Sequence, residues 1–359
     1  AVIGAGIVGC FTALKIASEN KKAKIALIER GILPLGASTK NAGFACFGSI
    51  SEIEENRKEM SDDNLLSLLE LRIRGLEKLR NDLGDKNISY SNCNGYELFF
   101  DNNGLEQRIY KINELLNPLM DKNCFSLCNK DIKKFDFAKE IVVGLAENKY
   151  EGSINPGKMI FSLKKKLGSL GVDCYFSTEV ESFEETSKKI FLKLKSSNQS
   201  IDIKTNKLAI CTNAFAKRWF EMEDISPGRG IILLTNEIPD LKINGCFHYN
   251  QGYYYFRNVK RRLLIGGGRE TDINNESTLS FGSNKIIRQK LIEHIKTFIL
   301  PEINFKIESE WSGIMGFGKN KLPLVKKISE NIVLGVRLGG MGISIGSIVG
   351  EKTADLIIN

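Results

Sequence analysis

Apolar and polar positions change period twice within the first thirty residues. Ala1-Val2-Ile3 is a short apolar run that stops at a glycine turn, residues 10–20 (CFTALKIASEN) are apolar at helical spacing, and 24–30 (KIALIER) returns to an apolar strand. The next segment, 36–50 (GASTKNAGFACFGSI), is small and polar and fits neither helix nor strand. From 62 to 82, Leu65, Leu69, Ile73, Leu76 and Leu79 recur at helical spacing, and Leu83-Gly84 closes the helix they predict. A strand is expected at 95–101 and an amphipathic helix at 104–120. The helix at 155–170 has explicit end signals: Asn155 is a good N-cap, Pro156 suits the first helical position, and Gly168 and Gly171 close it. Strands are predicted at 173–181, 189–195 and 207–211, and β-rich aromatic stretches at 229–235, 247–257 and 262–267. The chain ends with a helix at 284–300 stopped by Pro301, a strand at 331–335, a glycine turn at 339–342 and a last helix. The abrupt start implies a first strand already under way, with a few residues preceding Ala1.

At 359 residues the chain is too long for one compact core and suits two domains. Its 42% hydrophobic and 26% charged residues are those of a globular enzyme and exclude a disordered chain, and no run approaches the ~20 apolar residues of a membrane span. The net charge of +8 comes from Lys and Arg scattered among acids, which speaks against a nucleic-acid partner. Eight cysteines with no Cys-x-x-Cys pair and only two histidines argue against zinc. Thiols of this kind, with no leader segment, suggest a reducing cytoplasm.

The first chemical signal is Gly4-x-Gly6-x-x-Gly9. The first glycine allows the turn after the strand, the second lets backbone approach a pyrophosphate, and the third lets helix and strand pack closely. Ile7 and Val8 then open the helix whose positive end would face the phosphates. Glu29 ends the next strand about 20 residues on, where a carboxylate takes both ribose hydroxyls and argues against a 2′-phosphorylated cofactor.

A nicotinamide-dependent dehydrogenase would continue with further strand–helix units, whereas this chain continues with Arg30 and GASTKNAGF. Here the sequence resembles the D-amino-acid oxidase-like family of FAD-dependent oxidoreductases, which includes glycine and sarcosine oxidases. The resemblance rests on nine short motifs in the family's order: GAGIVG, ER at 29–30, GASTKNAG, EGSINPGKM, LAICTNAF, GYYYFRN, LLIGGGR, WSGIMGF and GVRLGGMGI. It implies an α/β protein with a Rossmann-like FAD-binding domain from 1–80, 145–222 and 308–359. A mostly antiparallel β-sheet substrate domain with helices would come from 81–144 and 223–307. It further implies that Ser38, Thr39, Lys40, Asn41, Ala42, Gly43 and Phe44 run along the diphosphate and flavin edge, and that Val180 meets adenine through its backbone. Thr212 and Asn213 would close the nucleotide domain, with Gly313 and Arg337 beside the cofactor. Gly339, Gly340, Met341, Gly342, Ile343 and Ser344 would turn backbone N–H groups toward the flavin pyrimidine carbonyl. Family members with covalent flavin use a Cys near 311–320; none is there, so FAD is expected to be non-covalent. Cys46, near the expected flavin edge, is taken as a small buried residue.

On the substrate side the chain departs from the family. Members oxidising amino acids carry an Arg for the substrate carboxylate in a G-L-R-P segment; Met315 stands there. Either Arg257, Arg269 or Lys40 replaces it, or the substrate has no α-carboxylate, and the departure is taken to lean toward the second. Sarcosine-oxidase-like members place a Lys where this chain has Leu264, or Arg262 if the alignment shifts by two, so O2 or another acceptor is left open. Tyr254 matches the family's substrate-facing tyrosine, and His248 is taken as structural rather than as a base. The expected activity is oxidation of the C–N bond of an amine or amino acid by hydride transfer to flavin, with hydrolysis of the imine. Three alternatives stand beside it: a 2-hydroxy-acid or polyol dehydrogenase, a tRNA-modifying oxidase and a non-catalytic flavin-binding protein.

Overall fold

The computed structural model describes residues 1–101, 103–197 and 199–359. Two sheets organise the chain. The first has six strands in the order Leu324–Lys327, Ile332–Val336, Leu208–Ile210, Val2–Ile3, Ala26–Ile28 and Asp173–Tyr175. All pairs are parallel except the one made by the Leu324–Lys327 edge. Its inner strands are unbroken apolar runs because both faces are covered. Helices Ile7–Glu19, Asp62–Leu83, Pro156–Ser169 and Gly342–Ile358 pack on one face, and a three-stranded antiparallel meander (Thr178–Glu185, Ile190–Ser196, Gln199–Thr205) packs on the other. The Pro156–Ser169 helix begins as its end signals predict: the Asn155 side chain accepts from the Lys158 N–H at 3.0 Å.

The second sheet has eight strands: Ile307–Phe317, Ser226–Thr235, Arg262–Gly267, Tyr254–Val259, Cys246–Tyr249, Gly95–Phe99, Gly144–Asn148 and Phe125–Leu127. Every pair is antiparallel except Cys246–Tyr249 with Gly95–Phe99. One face packs against helix Lys285–His294 and its π-helical continuation Ile295–Ile299, around Phe247, Phe256, Tyr249 and Tyr254. The other face turns toward the first sheet.

Two strands lie across the expected domain pieces. Gly144–Asn148 and Ile307–Phe317, grouped by sequence with the nucleotide domain, hydrogen-bond within the eight-stranded sheet. Strand pairing is a long-range choice, and motif order along the chain does not reveal it. The 36–50 segment contains a single turn of helix, Ala37–Lys40, and a two-residue strand, Phe44–Ala45, before helix Ile50–Glu59, which no period announced. The 247–257 stretch is two strands joined by a turn whose Asn250, Gln251 and Gly252 all have positive φ. Among the described residues no helix is long and apolar enough to cross a membrane, and no group of three or more His, Cys, Asp or Glu side chains could hold a metal ion.

Candidate active site

A cleft of about 470 Å³ runs along the first sheet and opens beneath the inner face of the second. Its nucleotide end is built by the first strand–helix turn. Gly4 has φ +96°, a conformation that side-chain-bearing residues rarely adopt. A Cβ on Gly9 would fall 1.9 Å from the Gly4 carbonyl oxygen, so the third glycine is required for helix–strand contact and lies behind the cleft wall. A Cβ on Gly6 would sit 2.9 Å from the Ser38 Oγ, which accepts from the Ile7 N–H at 3.0 Å. The buried Glu29 carboxylate accepts from Ala5 N–H and Gly31 N–H, each at 3.0 Å. One oxygen is held by each bond, and both keep lone pairs.

Two helix N-termini open on the cleft, Ile7–Glu19 and Gly342–Ile358, and neither is capped by its own N-cap side chain, though Ser38 takes the Ile7 N–H of the first. Uncapped helix starts leave backbone N–H groups without intrahelical acceptors and a partial positive charge. Thr212 Oγ1, also in the wall, is buried without a hydrogen-bond partner. These features match a dinucleotide: a carboxylate for ribose, N–H groups for phosphate, a glycine floor and a hydroxyl awaiting a ligand.

Most sequence-expected residues meet here. Gly4, Gly6, Ile7, Val8, Glu29, Arg30, Ser38, Lys40, Asn41, Ala42, Gly43, Phe44, Val180, Thr212, Asn213, Gly313, Met315 and the whole run from Gly339 to Ser344 line the cleft. The Val180 carbonyl accepts from Arg218 Nη2. Thr39 turns its hydroxyl to the Pro34 carbonyl and does not line the cleft.

Three expectations are corrected. Tyr254 points away, stacked on Tyr249 at 5.0 Å and hydrogen-bonded to Thr271 at 3.2 Å. Adjacent strand residues face opposite sides, so Tyr255, together with Tyr253 from the turn before it, reaches the cleft instead. Arg257 is half-buried behind the Ala42–Gly43 loop, donating from Nε to the Ala42 carbonyl (2.6 Å) and from Nη2 to the Ile154 carbonyl (3.3 Å). It therefore shapes the loop and does not face a substrate. Arg337, with φ +66°, pairs with Asp224 and donates to Asn320 and the Leu322 carbonyl, so it braces the cleft from outside.

Sequence reasoning set His248 aside, yet it lines the cleft, cross-strand from Tyr255 and 4.9 Å from the Phe44 ring. Burial lowers its pKa to about 4 and raises that of Tyr255 to about 12, so both are neutral at pH 7. Leu264 is buried with Ala42 and Ile232 and is absent from the wall, while Arg262 is tied to Glu308 and the Thr235 carbonyl. Neither places a cation on the cleft.

Comparisons with known proteins agree with this construction. Residues 1–356 match the family model described as FAD dependent oxidoreductase. The chain is 22% identical to the probable oxidoreductase OrdL of Haemophilus influenzae, covering 99% of this chain and 82% of that one. It is also 22% identical to the glycine oxidase of Bacillus subtilis, covering 100% and 92%. The fold superposes on the L-proline dehydrogenase of P. horikoshii with a TM-score of 0.78 at 18% identity (99% and 92% covered). It superposes on the iminodiacetate oxidase of Chelativorans sp. BNC1 with a TM-score of 0.79 at 16% identity (99% and 94% covered). A glycine turn, a buried carboxylate after the second strand, two helix starts on the cleft and a match over nearly every residue converge, and the chain belongs to the FAD dependent oxidoreductase family.

Proposed function

We propose that this enzyme oxidises a C–N bond whose own carbon gives up hydride, in an amino acid or a closely related amine. The observation that carries the reading is the character of the chamber at the sheet-facing end of the cleft. Phe44, His248, Tyr253, Tyr255, Met315 and Ile232 surround it. With His248 neutral and Tyr255 protonated, these residues offer shape and hydrogen-bonding groups rather than a strong base. Such walls suit a substrate that arrives as a neutral amine and needs positioning more than proton abstraction. Bound FAD supplies the hydride acceptor.

Each segment has a task under this reading. Gly4–Val8 and Ser38 would hold the diphosphate, and Glu29 would hold the ribose. The Gly342–Ile358 helix start, with N–H groups at Gly342 and Ile343, favours negative charge placed before it. Arg257 fixes the Ala42 backbone in the wall of the cleft. The His248 and Tyr255 rings, packed against Phe44, form a wall that would limit water at the reacting carbon. Relatives whose names specify glycine oxidase, L-proline dehydrogenase and iminodiacetate oxidase support the same substrate chemistry.

The test is anaerobic bleaching of the flavin band by a panel of amino acids, amines, 2-hydroxy acids and glycerol 3-phosphate. Bleaching by nitrogen compounds is the expected result. Bleaching by hydroxy compounds alone would overturn the reading.

A further inference from the structure

Five cationic side chains line the cleft: Arg30, Lys40, Arg218, Arg269 and Lys321. Two of them are engaged at the nucleotide end. Arg30 lies over the Phe215 ring at the Glu29 end, and Arg218 pairs with Glu179 and the Val180 carbonyl. Lys40 closes the Ala37–Lys40 turn against Gly313, two residues from Met315 on the same strand, and the Lys321 carbonyl lies 3.9 Å from where a Cβ would stand on Gly339. Of the remaining three, Arg269 is the one whose guanidinium itself is placed against the strands that carry Met315 and its partner Gly228.

The backbone puts it there. Gly267 (φ +107°) and Gly268 (φ +76°) end strand Arg262–Gly267 and swing the chain into the Arg269–Asp272 turn. A Cβ at Gly267 would lie 1.9 Å from the Tyr253 carbonyl oxygen, so only glycine permits that exit. The guanidinium then lies over the Phe317 ring, 4.1 Å from its centroid. Its Nη1 comes within 3.3 Å of where a Cβ would stand on Gly228, and Gly228 is the cross-strand partner of Met315. The positive charge therefore sits directly across the Ser226–Thr235 strand from Met315, in space that Gly228 leaves open.

The charge is offset only from a distance, by Glu270 and Glu276, and has no direct ion-pair partner among the described residues. Burial lowers the Arg269 pKa from its ordinary value. Glu276, the nearest fully buried acid, is held bidentately by Arg229 at 2.9 and 2.7 Å, and Glu270 lies on the Tyr254 side of the turn. A half-buried guanidinium with its fork open to a cleft is a site for an anion. A single guanidinium among Tyr253, Met315 and Phe317 balances one negative charge, not the two of a phosphate monoester.

We propose that Arg269 holds the substrate carboxylate, doing from the far side of the strand pair what Met315 cannot do from its own position. The substrate is then an amino acid or imino acid rather than a carboxyl-free amine. The proposal rests on the C–N reading above for the identity of the reaction, and not for the anion site itself.

The test uses the purified, FAD-loaded protein. Acetate, propionate, propionamide and glycerol 3-phosphate are titrated while the flavin visible spectrum is followed, in wild type, Arg269→Met and Arg269→Lys. Saturable perturbation by the carboxylates, absent with propionamide, is expected in wild type. Arg269→Met should weaken it 10- to 100-fold, the range of a lost charge-assisted bidentate pair. Arg269→Lys, which keeps the charge and loses the fork, should fall between the two and retains the site if the Met variant loses flavin. In turnover the Lys variant should raise KM for an amino acid and change kcat little. A change below threefold in both variants overturns the proposal, as does tighter binding of glycerol 3-phosphate than of either carboxylate. Carboxylates bound through Arg269 with no bleaching by any nitrogen compound would sink the C–N reading and leave this site standing. Bleaching by amines with both variants unchanged would do the reverse.

Discussion

Glu29→Gln isolates the contact proposed to join the nucleotide fold to its cofactor. Each Glu29 oxygen accepts one backbone N–H at 3.0 Å, from Ala5 and from Gly31, in a buried setting. The glutamine keeps its size but presents one oxygen and one NH2, so a donor faces one of the two N–H groups. A charge-assisted bond of about 1.5–3 kcal/mol is lost, and a buried N–H is left without an acceptor at about 1–3 kcal/mol. Because the loop relaxes in part, the net cost should be about 2–4 kcal/mol, shared between the fold and the ribose contact. Deflavinated protein titrated with FAD and followed by flavin fluorescence should show Kd raised about 10- to 100-fold, equal to about 1.4–2.8 kcal/mol. Apoprotein melting should fall by a few degrees in the same variant. An E29Q protein that binds FAD within threefold of wild type and melts unchanged would refute the assignment of Glu29 to the ribose.

The other predictions concern neighbouring parts. Gly9→Ala should yield colourless protein on purification, because its Cβ would meet the Gly4 carbonyl at 1.9 Å; a yellow, active protein would contradict the packing role. Tyr254→Phe should cost about 1 kcal/mol of stability for its bond to Thr271 and leave turnover unchanged, whereas Tyr255→Ala, which opens the chamber wall, should reduce kcat/KM more than tenfold. Arg257→Met strands the Ala42 and Ile154 carbonyls, so faster FAD loss on dilution is expected, read as rising free flavin fluorescence. Burial raises the Glu151 pKa to about 8 although it accepts from Phe47 N–H and Gly48 N–H. The native protein thus keeps a proton there that the unfolded chain releases above about pH 4.5, and wild type loses stability as pH rises from about 4.5 through 8. Glu151→Gln should remove that contribution, so its stability relative to wild type should climb across this window in urea melts; a flat difference would count against the shift.

Local signals carried much of the architecture. The glycine triplet, Glu29 and the capped Pro156–Ser169 helix depend on neighbours within a few residues, and their chemistry survives translation into structure. Tyr254 shows where that logic stops. Strand parity alternates along Tyr253-Tyr254-Tyr255, but which parity faces the cleft depends on how the strand registers with its partners and where the turn at 250–253 places its start. Arg257 is a second case. Its residue type suits a carboxylate, and only the packed position of Ala42 and Ile154 shows that the guanidinium is already engaged. His248 looked ordinary because a lone histidine on a strand has no sequence context; its contact with Phe44 spans two hundred residues.

The sequence by itself determined the nucleotide end of this protein, since a phosphate cradle is written in backbone conformation and glycine encodes backbone conformation locally. It also exposed the substrate end by what is missing, a methionine where an arginine is the rule. Which cation stands in that neighbourhood was decided by tertiary structure alone. Arg269 and Met315 are 46 positions apart, and they become neighbours through the pairing of Ser226–Thr235 with Ile307–Phe317 and the glycine exit at 267–268. Charge acts through space, and only the folded chain fixes the distances through which it acts.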